Sequence, residues 1–154
     1  MSERLTPHWT RTLEEVYGSY GLKGRYGEVL VRNVLSENAI PARDFEEERQ
    51  QQVSGVDIET KSHTLDVKAN LQDGVFFIEV DAAGWLFNPA KISDIIIHVD
   101  IASQECVWYR RTDAKSKIRV GVPNQLLKIT PHNYRPDFMS KSWPDLFAFL
   151  TVER

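Results

Sequence analysis

Gly55-Val-Asp57-Ile-Glu-Thr-Lys-Ser-His-Thr-Leu-Asp66-Val-Lys68 alternates in polarity with a period of two, twice over. Val56, Ile58 and Thr60 fall on one side of an extended chain, and Asp57, Glu59 and Lys61 on the other. Leu65 and Val67 then oppose Asp66 and Lys68. Ser62-His63 between the two runs reads as a hairpin turn, so the stretch predicts two antiparallel strands. Asp66 and Lys68 leave the same face of the second strand. Asp57 lies on the polar face of the first. Whether 57 and 66 converge depends on hairpin register, which alternation alone leaves open.

Working outward, Gln72-Asp73-Gly74 is a second turn signal, followed by a strand over 75–80. Residues 94–101 and 106–111 predict two further strands, and 84–94, ahead of them, a loop with a short helix. On the N-terminal side, 6–20 reads as a helix capped by Thr6 with Pro7 in its first turn. Gly18, Gly21 and Gly24 interrupt it. A second helix is expected over 25–37, with Tyr26, Val29, Leu30, Val34 and Leu35 as its apolar stripe and Arg25, Glu28, Arg32 and Ser36 as its polar one. Beyond Arg111 the chain reads as loop-rich until a short helix over 142–150, capped by Ser142. This order predicts a single domain over 1–154, of class α/β with a mixed central sheet.

At 154 residues the chain is long enough to bury a core without disulfide or metal support. Its 42% hydrophobic and 27% charged content is globular and argues against disorder. One cysteine, Cys106, excludes an intrachain disulfide framework and cysteine-rich zinc sites, and fits a reducing, cytoplasmic setting. No apolar run is long enough for a signal peptide or a membrane span. The net charge of -3 counts against a protein that coats nucleic acid, though not against one that binds through a local patch. Charge is uneven: six acids and one base occupy 44–59, five bases and one acid 106–119. Two solvated faces of opposite sign, or a metal site beside a phosphate-binding rim, both fit that pattern.

The residues that carry chemistry are Asp57, Asp66 and Lys68, with Glu28 from the second helix. Two carboxylates at close range repel unless a cation lies between them, and oxygen-only ligands suit Mg²⁺. A lysine beside them suits phosphodiester hydrolysis: metal polarises phosphate and acidifies water, and the ammonium orients that water or meets developing charge. Each residue also has a plainer account: an ion pair on an exposed strand for Asp66 and Lys68, a surface acid like Glu59 for Asp57, and an Arg32 pair for Glu28. Glu79 is either a further ligand or an edge-strand acid. Lys91, Arg110 and Arg111 are candidates for gripping phosphates. Trp85 is a base-stacking or loop-anchoring residue.

An acid, about ten residues, then an (Asp/Glu)-x-Lys strand, with an upstream helical glutamate, resembles the PD-(D/E)XK nuclease superfamily. The likeness runs from about Gly24 to Arg111, through Gly27-Glu28, Gly55-Val-Asp57-Ile, Asp66-Val-Lys68, Phe76-Phe-Ile-Glu79, Gly84-Trp85 and Ser93-Asp94. Small phage and bacterial members and Holliday-junction resolvases are the nearest in pattern. Val56 stands where the superfamily's proline would precede the acid, and Asp66 where glutamate is commoner. The resemblance implies a restriction-endonuclease-like mixed sheet of four to five strands flanked by helices. It implies Mg²⁺ or Mn²⁺ on Asp57, Asp66 and Glu28, cleavage of nucleic acid with DNA favoured, and a possible homodimer. The alternative is a non-catalytic nucleic-acid- or protein-binding protein on the same scaffold, such as an inhibitor or complex component.

Overall fold

The computed structural model describes residues 23–44 and 56–152. The helix expected over 6–20, Gly55 and most of the acidic run after Asp44 lie outside them.

The quoted stretch forms the hairpin it predicts. Strand β2 (Ile58–Glu59) pairs antiparallel with β3 (Thr64–Lys68), Ile58 opposite Leu65 and Glu59 opposite Thr64. The Thr60 N–H donates to the His63 carbonyl at 2.8 Å, so the turn is centred on Lys61-Ser62 rather than on Ser62-His63. A short strand β1 (Arg43–Asp44) adds to the free edge of β2. On its other side β3 runs parallel to β5 (Ile95–Val99), which pairs antiparallel with β6 (Cys106–Arg110). The result is a five-stranded mixed sheet in the order β1-β2-β3-β5-β6. The parallel register is pinned at its start. The Thr64 N–H donates to the Asp94 carboxylate at 3.2 Å, and the Asp94 N–H to the Thr64 hydroxyl at 3.0 Å.

Both sheet faces are covered, which is why β5 is buried at all five positions. Helix α1, described over 23–37, presents Leu30, Val31 and Leu35 to one face, where Leu65, Val67, Ile95, Ile97 and Trp108 meet it. Helix α3 (Trp143–Thr151) adds Leu146 and Leu150 to the same layer. The cap expected at its start is present: the Asp145 N–H donates to the Ser142 hydroxyl at 3.1 Å. Gly27 lets α1 approach the sheet, since a Cβ there would lie 2.9 Å from the Ala69 Cβ and 3.3 Å from a Val99 methyl.

The second face departs from expectation. The strand after the Asp73-Gly74 turn, β4 (Phe76–Glu79), does not join the main sheet. It pairs antiparallel with β7 (Leu126–Ile129), a strand in the segment read as loop. The turn itself is as read, with positive φ at both Asp73 and Gly74. Phe76, Ile78 and Ile129 of this ribbon pack with Trp85, Leu86, Ile96, Val107, Tyr109 and Met139 in a second core. Helix α2 (Arg111–Lys117), also unanticipated, contributes Ala114. Residues 84–94 form turns with no helix. Cys106 is buried in the first core, and burial pushes its thiol up to about 12, so it is a packing residue. Among the described residues no helix is long and apolar enough to cross a membrane.

Candidate functional site

The hairpin register decides whether the two aspartates meet. Asp57 lies just before β2 and donates its N–H to the Leu65 carbonyl at 2.9 Å, the residue that also faces Ile58, which holds it alongside the Leu65–Asp66 step of β3. Its side chain lies beside that of Asp66, whose charge and hydrogen bond both act on it. Asp57 also accepts the Val67 N–H at 2.8 Å, so its carboxyl is folded over β3. Glu59, the competing acid two residues on, stands opposite Thr64 and away from Asp66.

Asp66 is almost wholly buried, at 3% exposure. One of its oxygens is 3.4 Å from the Lys68 ammonium. Its Oδ2 is buried with no hydrogen-bonding partner of the ordinary kind. Asp57 supplies the reason this is tolerable. Burial, then the charges of Asp66 and Glu28, push the Asp57 pKa from 3.8 up to about 8, against the opposing pull of the Val67 N–H. Asp57 therefore carries a proton at neutral pH and can donate it in its hydrogen bond with Asp66. Glu28 is buried on α1 and held by Arg25 at 3.3 Å, with its charge felt at Asp57. The sequence thus brings Glu28, Asp57, Asp66 and Lys68 into one neighbourhood. Only the two aspartates are in intimate contact: among the described residues, no three carboxylate, imidazole or thiol groups are arranged to hold a metal ion.

Lys68 opens onto a cleft of about 600 Å³ whose walls include Asn70, Glu79, Trp85 and Lys23. Its ammonium lies 4.8 Å from the centre of the Trp85 ring. Glu79 accepts the Trp85 N–H at 3.3 Å, which makes it a support for that loop as well as a wall of the cleft.

Beneath the cleft lies a buried polar chain that the sequence did not disclose. His98, opposite Lys68 in the parallel register, has Nδ1 2.6 Å from Asn70 Oδ1 and Nε2 2.8 Å from the Tyr109 hydroxyl. The Asn70 Nδ2 donates to the Phe77 carbonyl, so Oδ1 is the end facing the ring. A carbonyl oxygen can only accept, so Nδ1 carries the proton and Nε2 accepts from Tyr109. Burial and then Lys68 hold the His98 pKa well below its usual value, and burial raises that of Tyr109, so both are neutral. The signal for this chain was the parallel pairing of β3 with β5, which no local pattern encodes.

The three candidate phosphate grips fare differently. Arg111 is not one: it is 7% exposed, and its guanidinium donates to the carbonyls of Trp85, Leu86 and Ser93 and to the Ser93 hydroxyl. Burial lowers its pKa, with Asp66, Tyr109 and Asp94 opposing. Arg110 is exposed, but strand alternation puts it on the opposite sheet face from Asp66, 5.3 Å from the Phe149 ring. Lys91 is half-buried in the 84–94 segment. Trp85, 8% exposed between Lys68 and His98, is a loop anchor rather than an open stacking platform.

No protein-family model, no curated protein and no solved structure matches the chain.

Proposed function

We propose that the protein is a metal-dependent phosphodiesterase acting on nucleic acid, with DNA as the favoured substrate. The observation that carries this reading is the Asp57 carboxyl folded over β3 beside Asp66, with Lys68 ion-paired to Asp66 at the mouth of a cleft.

The donor set suits Mg²⁺ or Mn²⁺ in a particular way. Mg²⁺ keeps several waters and is commonly held by one or two carboxylates together with substrate phosphates, not by an all-protein cage. A buried aspartate whose Oδ2 meets no N–H or ammonium donor, beside a half-buried second one, fits that mode. Asp57 and Asp66 would hold the cation, the Val67 carbonyl is a third candidate, and Glu28 contributes negative field from α1. When bound, the cation polarises the phosphate and lowers the pKa of water.

The chain's own residues do the rest. Asp57 would have to give up its proton to serve as a ligand, so cation binding would be linked to proton release. Lys68, tethered to Asp66, orients the attacking water and faces the charge that develops on the phosphate. The cleft beside it admits the substrate strand.

The test is incubation of the protein with plasmid, single-stranded and branched DNA in Mg²⁺ or Mn²⁺, with and without chelator. Metal-dependent nicking supports the reading. No cleavage of any of these substrates transfers preference to a non-catalytic binding protein on the same scaffold.

A further inference from the structure

Lys68 has two tethers of different chemistry. Asp66 fixes it by charge at 3.4 Å, and Trp85 offers the negative face of an indole at 4.8 Å from the ammonium. A lysine stem is a flexible four-carbon chain, and one ion pair leaves the head free to swing. A second contact at an angle to the first reduces that freedom to a narrow arc.

Trp85 is itself tightly constrained for a loop residue. Its N–H donates to Glu79 at the end of β4, and its carbonyl accepts from Arg111. Its ring lies 5.8 Å from His98, whose own orientation is set by Asn70 and Tyr109. Arg111 binds both ends of the turn that presents the tryptophan: Trp85 and Leu86 at one end, Ser93 at the other at 2.7 and 2.8 Å. Placing a guanidinium inside a second core is costly unless its donors are used. Here the fork geometry of arginine binds one turn at three residues, which lysine cannot do.

We propose that Trp85, clamped by Arg111, is a positioning residue that sets the place of the Lys68 ammonium. This rests on the phosphodiesterase reading for its kinetic consequence, but not for its geometry. A displacement of about 1 Å in a reacting group can cost on the order of 100-fold in rate. Trp85→Leu keeps an apolar anchor but removes the ring face. Trp85→Phe retains a weaker one.

The experiment combines NMR of the full chain, with ¹³C-labelled lysine, and cleavage kinetics. In the wild type the Lys68 ammonium lies over the indole, and the ε-methylene protons next to it are expected upfield of those of the other lysines. That shift is expected to vanish in Trp85→Leu, to survive in reduced form in Trp85→Phe, and to collapse in Arg111→Lys. On cleavable DNA, kcat is expected to fall roughly 10- to 100-fold in Trp85→Leu with KM within about twofold, and to recover in part in Trp85→Phe. Unshifted Lys68 protons in the folded wild type overturn the proposal, even if the variants fail to fold. A shift that persists in Trp85→Leu, or a loss expressed only in KM, also overturns it. The two readings separate cleanly. The ring-current pattern without any cleavage keeps the positioning and removes the phosphodiesterase, whereas metal-dependent cleavage with unshifted Lys68 protons does the reverse.

Discussion

Asp57→Asn tests the electrostatics of the paired aspartates without disturbing their packing. Asparagine is nearly isosteric with the protonated acid. Its amide oxygen can accept the Val67 N–H, and its amide nitrogen can donate to Asp66 as the acid proton does. The folded-state pKa of Asp57 is raised, from 3.8 to about 8. The stability associated with its proton is therefore fully present below pH 3.8 and is lost as pH rises toward 8. At pH 7 the native state is still protonated while the unfolded chain is not, a gap of about three pH units between 7 and the unfolded value. At about 1.36 kcal/mol per unit that is at most about 4 kcal/mol. The Asp57→Asn variant has no proton to lose at this position. Urea unfolding of both proteins, with chelator, at half-unit intervals from about pH 4 to 8.5 measures the difference. The two stabilities should lie close together at the acid end. The variant should pull ahead with rising pH, by a few kcal/mol at about pH 8. Parallel curves across that range, or a variant less stable at every pH, would refute the proton-sharing pair.

Other consequences are more quickly checked. Lys68→Ala should abolish cleavage and lower stability by about 1–2 kcal/mol in chemical denaturation, since it leaves the buried Asp66 without its cation. Mg²⁺, Mn²⁺ and Ca²⁺ should each raise the melting temperature of the wild type, by about 2.7 kcal/mol of stabilisation at about 100 times Kd, and Asp66→Asn should respond less. Metal affinity, read by titration calorimetry, should strengthen as pH rises toward 8, because the cation competes with the Asp57 proton. Gly27→Ala should cost about 1–3 kcal/mol in urea melts, as its methyl meets Ala69 in a helix–sheet contact with no slack.

Local patterns carried far in this chain, and failed where contacts are remote. Period-two alternation located β2 and β3, the short strand-like runs over 94–101 and 106–111 located β5 and β6, period 3.6 located α1, and Ser142 marked the start of α3. The same alternation set Asp66 and Lys68 on one face. It could not supply the register that brings Asp57 to Asp66, because a one-residue slip leaves the pattern intact while reversing the face. Leu126–Ile129 escaped notice because its partner, Phe76–Glu79, lies far upstream and its outer side chains are largely exposed. Without that partner, β4 looked like a member of the main sheet. Arg111 illustrates the other limit. A cation following an exposed arginine reads as surface charge, and only the return of residues 85–93 over the sheet turns it inward. His98 was visible as a residue, but its role depends on Asn70, just beyond β3, and Tyr109, on β6.

The hydrolytic centre proposed for Asp57, Asp66 and Lys68 works only with a divalent cation. The most direct measurement follows end-labelled DNA, in duplex, single-stranded and branched form, incubated in Mn²⁺ with wild type, Asp66→Asn and Lys68→Ala purified identically. Cleavage is expected from the wild type alone, abolished by chelator, with both variants folded and inactive. Equal cleavage by the wild type and the variants, or none by the wild type on any substrate at millimolar metal, would contradict it.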